Sequence, residues 1–490
     1  MPQPNDCHVL AMETKNLDIL PVKRHKASKK SGGAVDRISN LPDAILHLIL
    51  SFLQTIDAVK TSVLSKRWRY LWTSLGYLEF DHCYFWSRHI KFWYQREFSE
   101  KFTNFVTCVL SFRDGSDIKR FRLSSFNFCN KWVDKWIDVV ISHNVRELDL
   151  SLCPEGAFLL PHSIGSSKYL TALKLNLFNH VLEIPKTMVF NKLTSLHLVS
   201  LRFSNDGLAR LLFLGCPVLE ILVLQRCVYD NIKVLDIYAT KLKTLTIENL
   251  ELDDAGDDGL RQTVLKVFAP NLLSFRYMGP VARDYILQDP LCIINVYIHL
   301  VNGFEKGSLK GLGYLMCKFI GGFYNAEVMK LSMIFLELLC SVLNGPVCIP
   351  APFCNLKLLK LNAGTDKRHL QVIIHLLKNS PNLKALHIDF MTSDWKDDWQ
   401  PEDEAVTCLS YHLKTVEISN FEGQDNGLEF VKFVLENGLV LERITITWSM
   451  NLKKPIEIIL KAMTIMTFPR ASSTVAIIFL EPEPLGNSFI

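Results

Sequence analysis

A six-residue pattern, apolar-x-x-apolar-x-apolar, returns five times between residues 145 and 247. It reads Val145-Arg146-Glu147-Leu148-Asp149-Leu150, then Leu170 to Leu175, Leu193 to Leu198, Leu219 to Leu224 and Leu242 to Ile247. The central apolar positions 148, 173, 196, 222 and 245 lie 25, 23, 26 and 23 residues apart. Alternation over so few residues is the signature of a strand with one face buried. A single unit of this kind cannot cover its own apolar face, but stacked neighbours cover each other. The period therefore predicts parallel strands stacked side by side, each followed by a return segment. An unrelated sheet could imitate one such unit, but not five in succession.

Leu272-Leu273-Ser274-Phe275-Arg276-Tyr277 offers a sixth unit. The pattern then becomes irregular from residue 280 to about 350. Ile293 to Leu300 and Val328 to Ile334 still read as strands, while Gly303, Gly307, Gly311, Gly313, Gly321 and Gly322 interrupt the run. Gly311-x-Gly313 lacks both a clear preceding strand and a following helix cap, so it is not read as a nucleotide-binding loop. Order returns with Leu356 to Leu361, Leu383 to Ile388, Leu413 to Ile418 and Leu441 to Ile446. Helices are predicted over Asp366 to Lys378 and over Leu428 to Asn437, the second stopped by Gly438.

The first 140 residues follow another rule. In residues 36–77, Pro42 suits the first turn of a helix, and Ile45, Leu46, Ile49, Leu50 and Leu53 recur at helical spacing. Thr55 or Asp57 can cap a second short helix carrying Val59, Val63 and Leu64. Ser65 can cap a third, Lys66 to Ser74, carrying Trp68, Leu71 and Trp72. Three short helices make a core too small to stand without a neighbour or partner. Residues 78–140 are rich in aromatics, and Phe98 to Leu110 and Lys131 to Ser142 read as amphipathic helices.

Leu41-Pro42-Asp43-Ala44-Ile45-Leu46, followed by Val63-Leu64-Ser65-Lys66-Arg67-Trp68-Arg69-Tyr70-Leu71-Trp72, resembles the F-box, especially in its plant form. The 23- to 26-residue units resemble leucine-rich repeats, in which a cysteine placed as Cys153 and Cys227 are satisfies backbone groups at the inner turn. The last part resembles the FBD domain through Ser380-Pro381-Asn382-Leu383, Cys408-Leu409-Ser410, His412 to Val416, Phe421-Glu422-Gly423 and Phe430 to Gly438. It departs at Val406, where that family usually carries a proline. The resemblances imply an F-box that docks on a Skp-type adaptor, and through it a cullin, and a repeat surface that holds a target protein. The implied adaptor-binding set is Leu41, Pro42, Ile45, Leu46, Ile49, Leu53, Val63, Leu64, Ser65, Lys66, Arg67, Trp68, Leu71 and Trp72.

A search for chemistry finds little. Fourteen histidines show no metal-ligand spacing, and there is no nucleophile elbow. His197 and His387 share one strand register and should face outward, as candidate target contacts. Asp253, Asp254, Asp257 and Asp258 lack calcium-loop spacing. Trp395 and Trp399 sit in a predicted loop, where exposed tryptophans would make docking anchors. Thirteen scattered cysteines without a Cys-x-x-Cys pair read as unpaired thiols in a reducing compartment. A net charge of +4 without a basic stripe gives no reason to expect nucleic acid. No secretory signal or membrane span is legible.

The expected fold class is α/β: a leucine-rich-repeat solenoid, with parallel strands on one curved face, preceded by a small three-helix F-box. The expected order is a basic leader (1–35) with Lys23-Arg24-His25-Lys26 and Lys29-Lys30, the F-box (36–77) and a helical connector packing on the solenoid (78–140). Repeats (141–352, irregular after 280), an FBD domain continuing the array (353–450) and a C-terminal segment (451–490) follow. The expected function is substrate recognition in a Skp-cullin-F-box ubiquitin ligase, without enzymatic activity, cofactor or metal, in the nucleus or cytoplasm. The alternative is a non-catalytic scaffold or small-molecule co-receptor.

Overall fold

The computed structural model describes residues 38, 40–87, 95–128, 130–250, 259–288, 292–301, 309–342, 351–391, 399, 405–452 and 454–481. The basic leader, the acidic loop at Asp253–Asp258, Gly303, Gly307 and Trp395 lie outside the described residues. The chain divides into two compact units, residues 1–231 and 232–490.

The first unit opens with α1 (Asp43–Ser51), α2 (Thr55–Lys60) and a 3-10 segment, Trp68–Ser74. Next come β1 (Tyr77–Asp81), α3 (His82–Ser87), α4 (Gln95–Ser111), β2 (Arg120–Phe128), α5 (Asn130–Ser142), β3 (Glu147–Pro154), β4 (Phe158–Leu159) and α6 (His162–Ser166). Then follow β5 (Ala172–Glu183), β6 (Ser195–Phe203), α7 (Asp206–Leu214), β7 (Ile221–Gln225) and β8 (Val228–Tyr229). β1, β2, β3, β5, β6 and β7 are paired in parallel, each with the next. The register aligns two apolar rows across all six strands: Leu78, Phe121, Leu148, Leu173, Leu196 and Leu222, then Phe80, Leu123, Leu150, Leu175, Leu198 and Leu224. All twelve are buried. At about 1.5–3 kcal/mol for each fully buried side chain, these rows are a principal source of stability.

Repeat packing therefore starts earlier than residue 141. β1 and β2 lie almost wholly in the segment read as a helical connector. Leu75-x-x-Leu78-x-Phe80 and Ile118-x-x-Phe121-x-Leu123 carry the whole motif, but positions 78 and 121 are 43 residues apart, outside the 23- to 26-residue period. The connector helices cover the strands. Phe80 meets Phe105 edge-on at 5.9 Å, Phe85 meets Phe102 at 5.5 Å, and the Trp136 indole donates to Thr107 Oγ1 at 3.0 Å.

At the inner turn after β7, the buried Cys227 thiol lies 3.6 Å from the Leu198 carbonyl and 3.5 Å from that of Gln225. Burial pushes this thiol up to about 12, so it is a neutral donor. Nine described cysteines are free, but Cys108 is disulfide-bonded, which corrects the expectation that every thiol is unpaired.

The second unit contains β9 (Val234–Tyr238), β10 (Thr244–Glu248), β11 (Val264–Phe268), β12 (Ser274–Gly279), β13 (Asp284–Gln288), β14 (Asn295–Leu300), α8 (Leu309–Gly321), β15 (Val328–Leu331) and α9 (Met333–Cys340). It continues through β16 (Leu358–Gly364), α10 (Lys367–Lys378), β17 (Ala385–Met391), α11 (Thr407–Tyr411), β18 (Thr415–Phe421), α12 (Asp425–Asn437), β19 (Arg443–Trp448), α13 (Pro455–Met466) and β20 (Ala476–Leu480). β10, β12 and β14 to β20 are joined in parallel, so residues 280–350 and the C-terminal segment lie within the same sheet as residues 353–450.

The irregular spacing has a physical cause. Aligned positions 245, 275, 296, 329, 359, 386, 416, 444 and 477 are 30, 21, 33, 30, 27, 30, 28 and 33 apart. Hydrogen bonding fixes the strand register, and the return segments absorb the difference. Early returns are themselves strands, β9, β11 and β13, paired in a separate three-stranded sheet. Later returns are helices. One of them, α8, contains Gly311, Gly313 and Gly321, which the sequence alone presented as interruptions. Val328 to Ile334 is likewise split, into β15 and the start of α9.

Asp366 caps α10, where its Oδ1 accepts from the Arg368 and His369 amides and its Oδ2 lies 2.5 Å from His369 Nδ1. The outward side of α13 presents Ile456, Ile459, Leu460, Met463 and Met466, all exposed.

Candidate functional site

The N-terminal helices divide their apolar residues between two faces. Only Leu46 and Leu50 of α1 are buried, both at 0% exposure. They pack with Ile56, Ala58 and Val59 of α2 and with Trp68, Leu71 and Trp72 of the 3-10 segment into a compact core. Trp72 Nε1 donates to the Arg69 carbonyl at 3.0 Å. His47 Nε2 and Ser74 Oγ, 2.7 Å apart, tie α1 to the end of that segment.

Leu46, Trp68, Leu71 and Trp72 belong to the expected adaptor-binding set, with Trp68 and Trp72 read alternatively as core pillars. Buried here, they hold the small domain together and offer no surface to a partner. Ser65 was expected to cap a third helix and to contact the adaptor. Instead its hydroxyl is buried with no hydrogen-bond partner among the described residues, and regular 3-10 geometry starts at Trp68. Thr55 caps nothing either: it is the first residue of α2, and its Oγ1 accepts from the Glu79 amide at 2.7 Å.

The other face of α1 is apolar and open to solvent. Ile45, Leu48, Ile49, Phe52 and Leu53 are exposed there, Phe52 at 80%. Val63 and Leu64 are exposed after α2, Leu64 at 63%, and Tyr70 is exposed further on. Pro42, Lys66 and Arg67 are exposed and Leu41 is half-buried. Arg67 Nη2 lies 2.6 Å from Asp43 Oδ1, pinning the second motif end to the first turn of α1. Both partners are well exposed, so the pair contributes about 0–1 kcal/mol and acts mainly as a positional clamp. Large exposed apolar side chains at this density make this face the candidate docking surface. Sequence reasoning missed Leu48 and Phe52. The signal was present: with Leu46 and Leu50 committed to a core, an apolar residue two positions away must point elsewhere.

The outward rows of the repeat strands form the other candidate surface. In the first unit the row between the two buried rows is Glu79, Arg122, Asp149, Lys174, His197 and Val223. Its charges alternate and largely pair. Arg122 Nη1 is 2.8 Å from Glu79 Oε1, and Arg122 Nε is 3.7 Å from Asp149 Oδ2. His197 is half-buried in this row, and burial, reinforced by Lys174 and opposed by Asp149, holds its imidazole below the ordinary value.

In the second unit the equivalent row is Thr246, Arg276, Tyr297, Lys330, Lys360, His387, Glu417, Thr445 and Ile478. His387 Nε2 lies 3.3 Å from Glu417 Oε2. Burial lowers its pKa, while Glu417 raises it and Lys360 lowers it further. Trp399 is not the exposed anchor expected of it. It is 3% exposed, its ring 6.3 Å from Phe430 and 6.2 Å from Phe433, and its amide donates to Asn426 Oδ1. Among the described residues no group of three or more potential metal ligands is found.

Known proteins resemble both parts. A family model described as the At1g61320/AtMIF1 LRR domain matches residues 109–467, and an F-box domain model matches residues 38–80. Relatives from Arabidopsis thaliana extend along nearly the full length. The putative F-box/FBD/LRR-repeat protein At1g66300 is 27% identical over 93% of this chain and 96% of its own. The FBD-associated F-box protein At5g22730 is 28% identical over 90% of this chain and 94% of its own. The F-box/FBD/LRR-repeat protein At5g56420 is 28% identical over 91% and 99%.

Proposed function

Since this chain belongs to the plant F-box/FBD/leucine-rich-repeat protein family, we propose that it is the substrate-recognition subunit of a Skp-cullin-F-box ubiquitin ligase. The open apolar face of α1 carries this reading. Ile45, Leu48, Ile49, Phe52 and Leu53, with Val63 and Leu64, form a surface suited to helix-against-helix docking on a Skp-type adaptor. The adaptor links the complex to a cullin, and the outward rows of the repeat strands hold a target protein. The chain then works by proximity, raising the effective concentration of target near activated ubiquitin. No covalent step falls to its own residues, and it acts in the nucleus or the cytoplasm.

The test is capture of a plant Skp-type adaptor by the purified full chain and by an Ile49→Glu, Phe52→Glu variant. Both side chains point away from the core, so the variant should keep the parent's melting temperature. Capture by the parent and loss in the folded variant supports the reading. Failure of the folded parent to capture any adaptor overturns it and leaves a scaffold or co-receptor without a ligase role.

A further inference from the structure

The outward row of the second unit gathers positive charge that, among the described residues, no direct ion pair neutralises. Arg276, Lys330 and Lys360 lie in one register on β12, β15 and β16, with Tyr297 of β14 between the first two. The Arg276 guanidinium carbon is 4.5 Å from the centre of the Tyr297 ring, and Lys330 Nζ is 5.0 Å from it. Two cations therefore share one ring. His299, two residues along β14, lies parallel to that ring, 6.5 Å away and tilted by 7°. All five side chains are half-buried.

The neighbouring acids are held by other partners and form no ion pair with Lys330 or Lys360 among the described residues, although the Asp389 charge still acts on Lys330. Asp389 accepts from Asn362 at 3.0 Å and from Asn420 at 2.5 Å. Glu417 pairs with His387. Glu248 lies close enough to raise the Tyr297 pKa, yet Arg276 Nε points at Met278 Sδ, 3.2 Å away. Among the described residues no carboxylate forms an ion pair with Lys330 or Lys360. The crowding has a cost: burial, then Lys360 and Arg276, lower the Lys330 pKa against the opposing charge of Asp389, and burial, then Lys330 and Arg276, lower that of His299. The first unit solved the same problem by alternating sign along Glu79, Arg122 and Asp149. The second did not, and a row of partly desolvated like charges is relieved by an anion laid across it.

We propose that the Arg276, Tyr297, Lys330 and Lys360 face takes an acidic polypeptide segment of the target, its carboxylates lying across β12 to β16. This rests on the reading that the repeat surface holds a target protein, and it names the chemistry of what is held. Strands about 4.8 Å apart set the spacing of the cations, which suits successive carboxylates on a flexible acidic run better than one compact anion.

The probe is a fluorescein-labelled deca-glutamate peptide, titrated with the full chain alone and in the presence of the adaptor, beside a neutral Gly-Ser peptide of equal length. The glutamate peptide should bind at least about tenfold more tightly than the neutral one, and Lys330→Gln with Lys360→Gln should remove most of that difference. Lys384→Gln, an exposed lysine on the turn before β17, should leave it unchanged. Equal binding of both peptides, or equal loss from Lys384→Gln, overturns the proposal. So does a single-stranded oligonucleotide of matched charge that binds more tightly and responds to the same lysines. Adaptor capture is scored separately. A complex that forms but ignores the acidic peptide sinks this proposal alone. A chain that binds the peptide but no adaptor sinks the ligase reading alone.

Discussion

Thr55 and Glu79 join the N-terminal helical domain to the first repeat strand: the buried Thr55 hydroxyl oxygen accepts the backbone N–H of Glu79 at 2.7 Å. α2 is thereby fixed on β1, the strand whose Leu78 and Phe80 begin the two buried rows. Arg122 then clamps the Glu79 carboxylate from β2 at 2.8 Å. The N-terminal helices are thus set on the repeat strands by specific bonds as well as by apolar packing.

Replacing Thr55 by Val keeps the shape and removes the acceptor. Leaving that amide unsatisfied in a buried position should cost about 1–3 kcal/mol. Urea denaturation of the full chain measures it. An unchanged midpoint would mean that water replaces the hydroxyl.

The two faces of α1 should respond oppositely to substitution. Leu50→Ala opens a cavity in a fully buried site and should lower stability by about 2–5 kcal/mol. Phe52→Ala removes an exposed ring and should leave the melting temperature within about a degree, since surface changes usually stay within ~0.5 kcal/mol. Its adaptor affinity should nevertheless fall about tenfold or more, as for an aromatic anchor. Calorimetry and adaptor titration together separate the two roles.

Gly313 in α8 marks where a second helix comes close. A Cβ there would collide with Ser341 Oγ and sit 2.7 Å from both the Leu338 carbonyl oxygen and Val342 Cγ1. Gly313→Ala should therefore destabilise the chain by about 1–3 kcal/mol through overpacking, despite the better helix propensity of alanine. Gly311→Ala, at an exposed position of the same helix, should be neutral or stabilising. If both are neutral in thermal melts, α8 and α9 can separate without cost.

Five histidines, His82, His197, His299, His375 and His387, are held below the ordinary value of 6.5, in each case chiefly by burial. The folded chain then binds fewer protons than the unfolded chain as pH falls through that value. Their stability contribution is present above 6.5 and is lost as pH drops towards their folded values. The urea midpoint should therefore decline from about pH 7.5 to about pH 5.5, a window above the range where ordinary carboxylates titrate. His375→Gln should flatten part of that decline, and a pH-independent midpoint would show that these rings stay hydrated in the folded state.

The repeat strands were legible because their signal is local. Each leucine of the Leu148 and Leu150 rows sits at a fixed offset within six residues, and alternation alone assigns it to the inward face. β1 and β2 escaped notice because their motifs, Leu75 to Phe80 and Ile118 to Leu123, are separated by a long helical insertion that breaks the period, with positions 78 and 121 lying 43 residues apart. β9, β11 and β13 escaped because a return strand alternates in the same way as a main one, and only pairing reveals its sheet. Gly311 and Gly313 looked like breaks because glycine weakens a helix in isolation. Packing against α9 outweighs that penalty, and at Gly313 it requires the small residue.

Periodicity along the chain dictated the stacked parallel strands, the small helical domain before them and the register that turns His197 and His387 outward. These depend on periodicity, which is a property of the chain's own geometry. Tertiary structure decided which apolar residues of α1 are core and which are surface. That helix is apolar on both sides, and only the positions of Trp68, Trp72 and α2 choose between them. The same holds for Trp399, which a loop sequence offers to solvent and Phe430 and Phe433 draw inside. It holds too for Arg276, Lys330 and Lys360, far apart along the chain and brought together only when hydrogen bonding set four strands side by side.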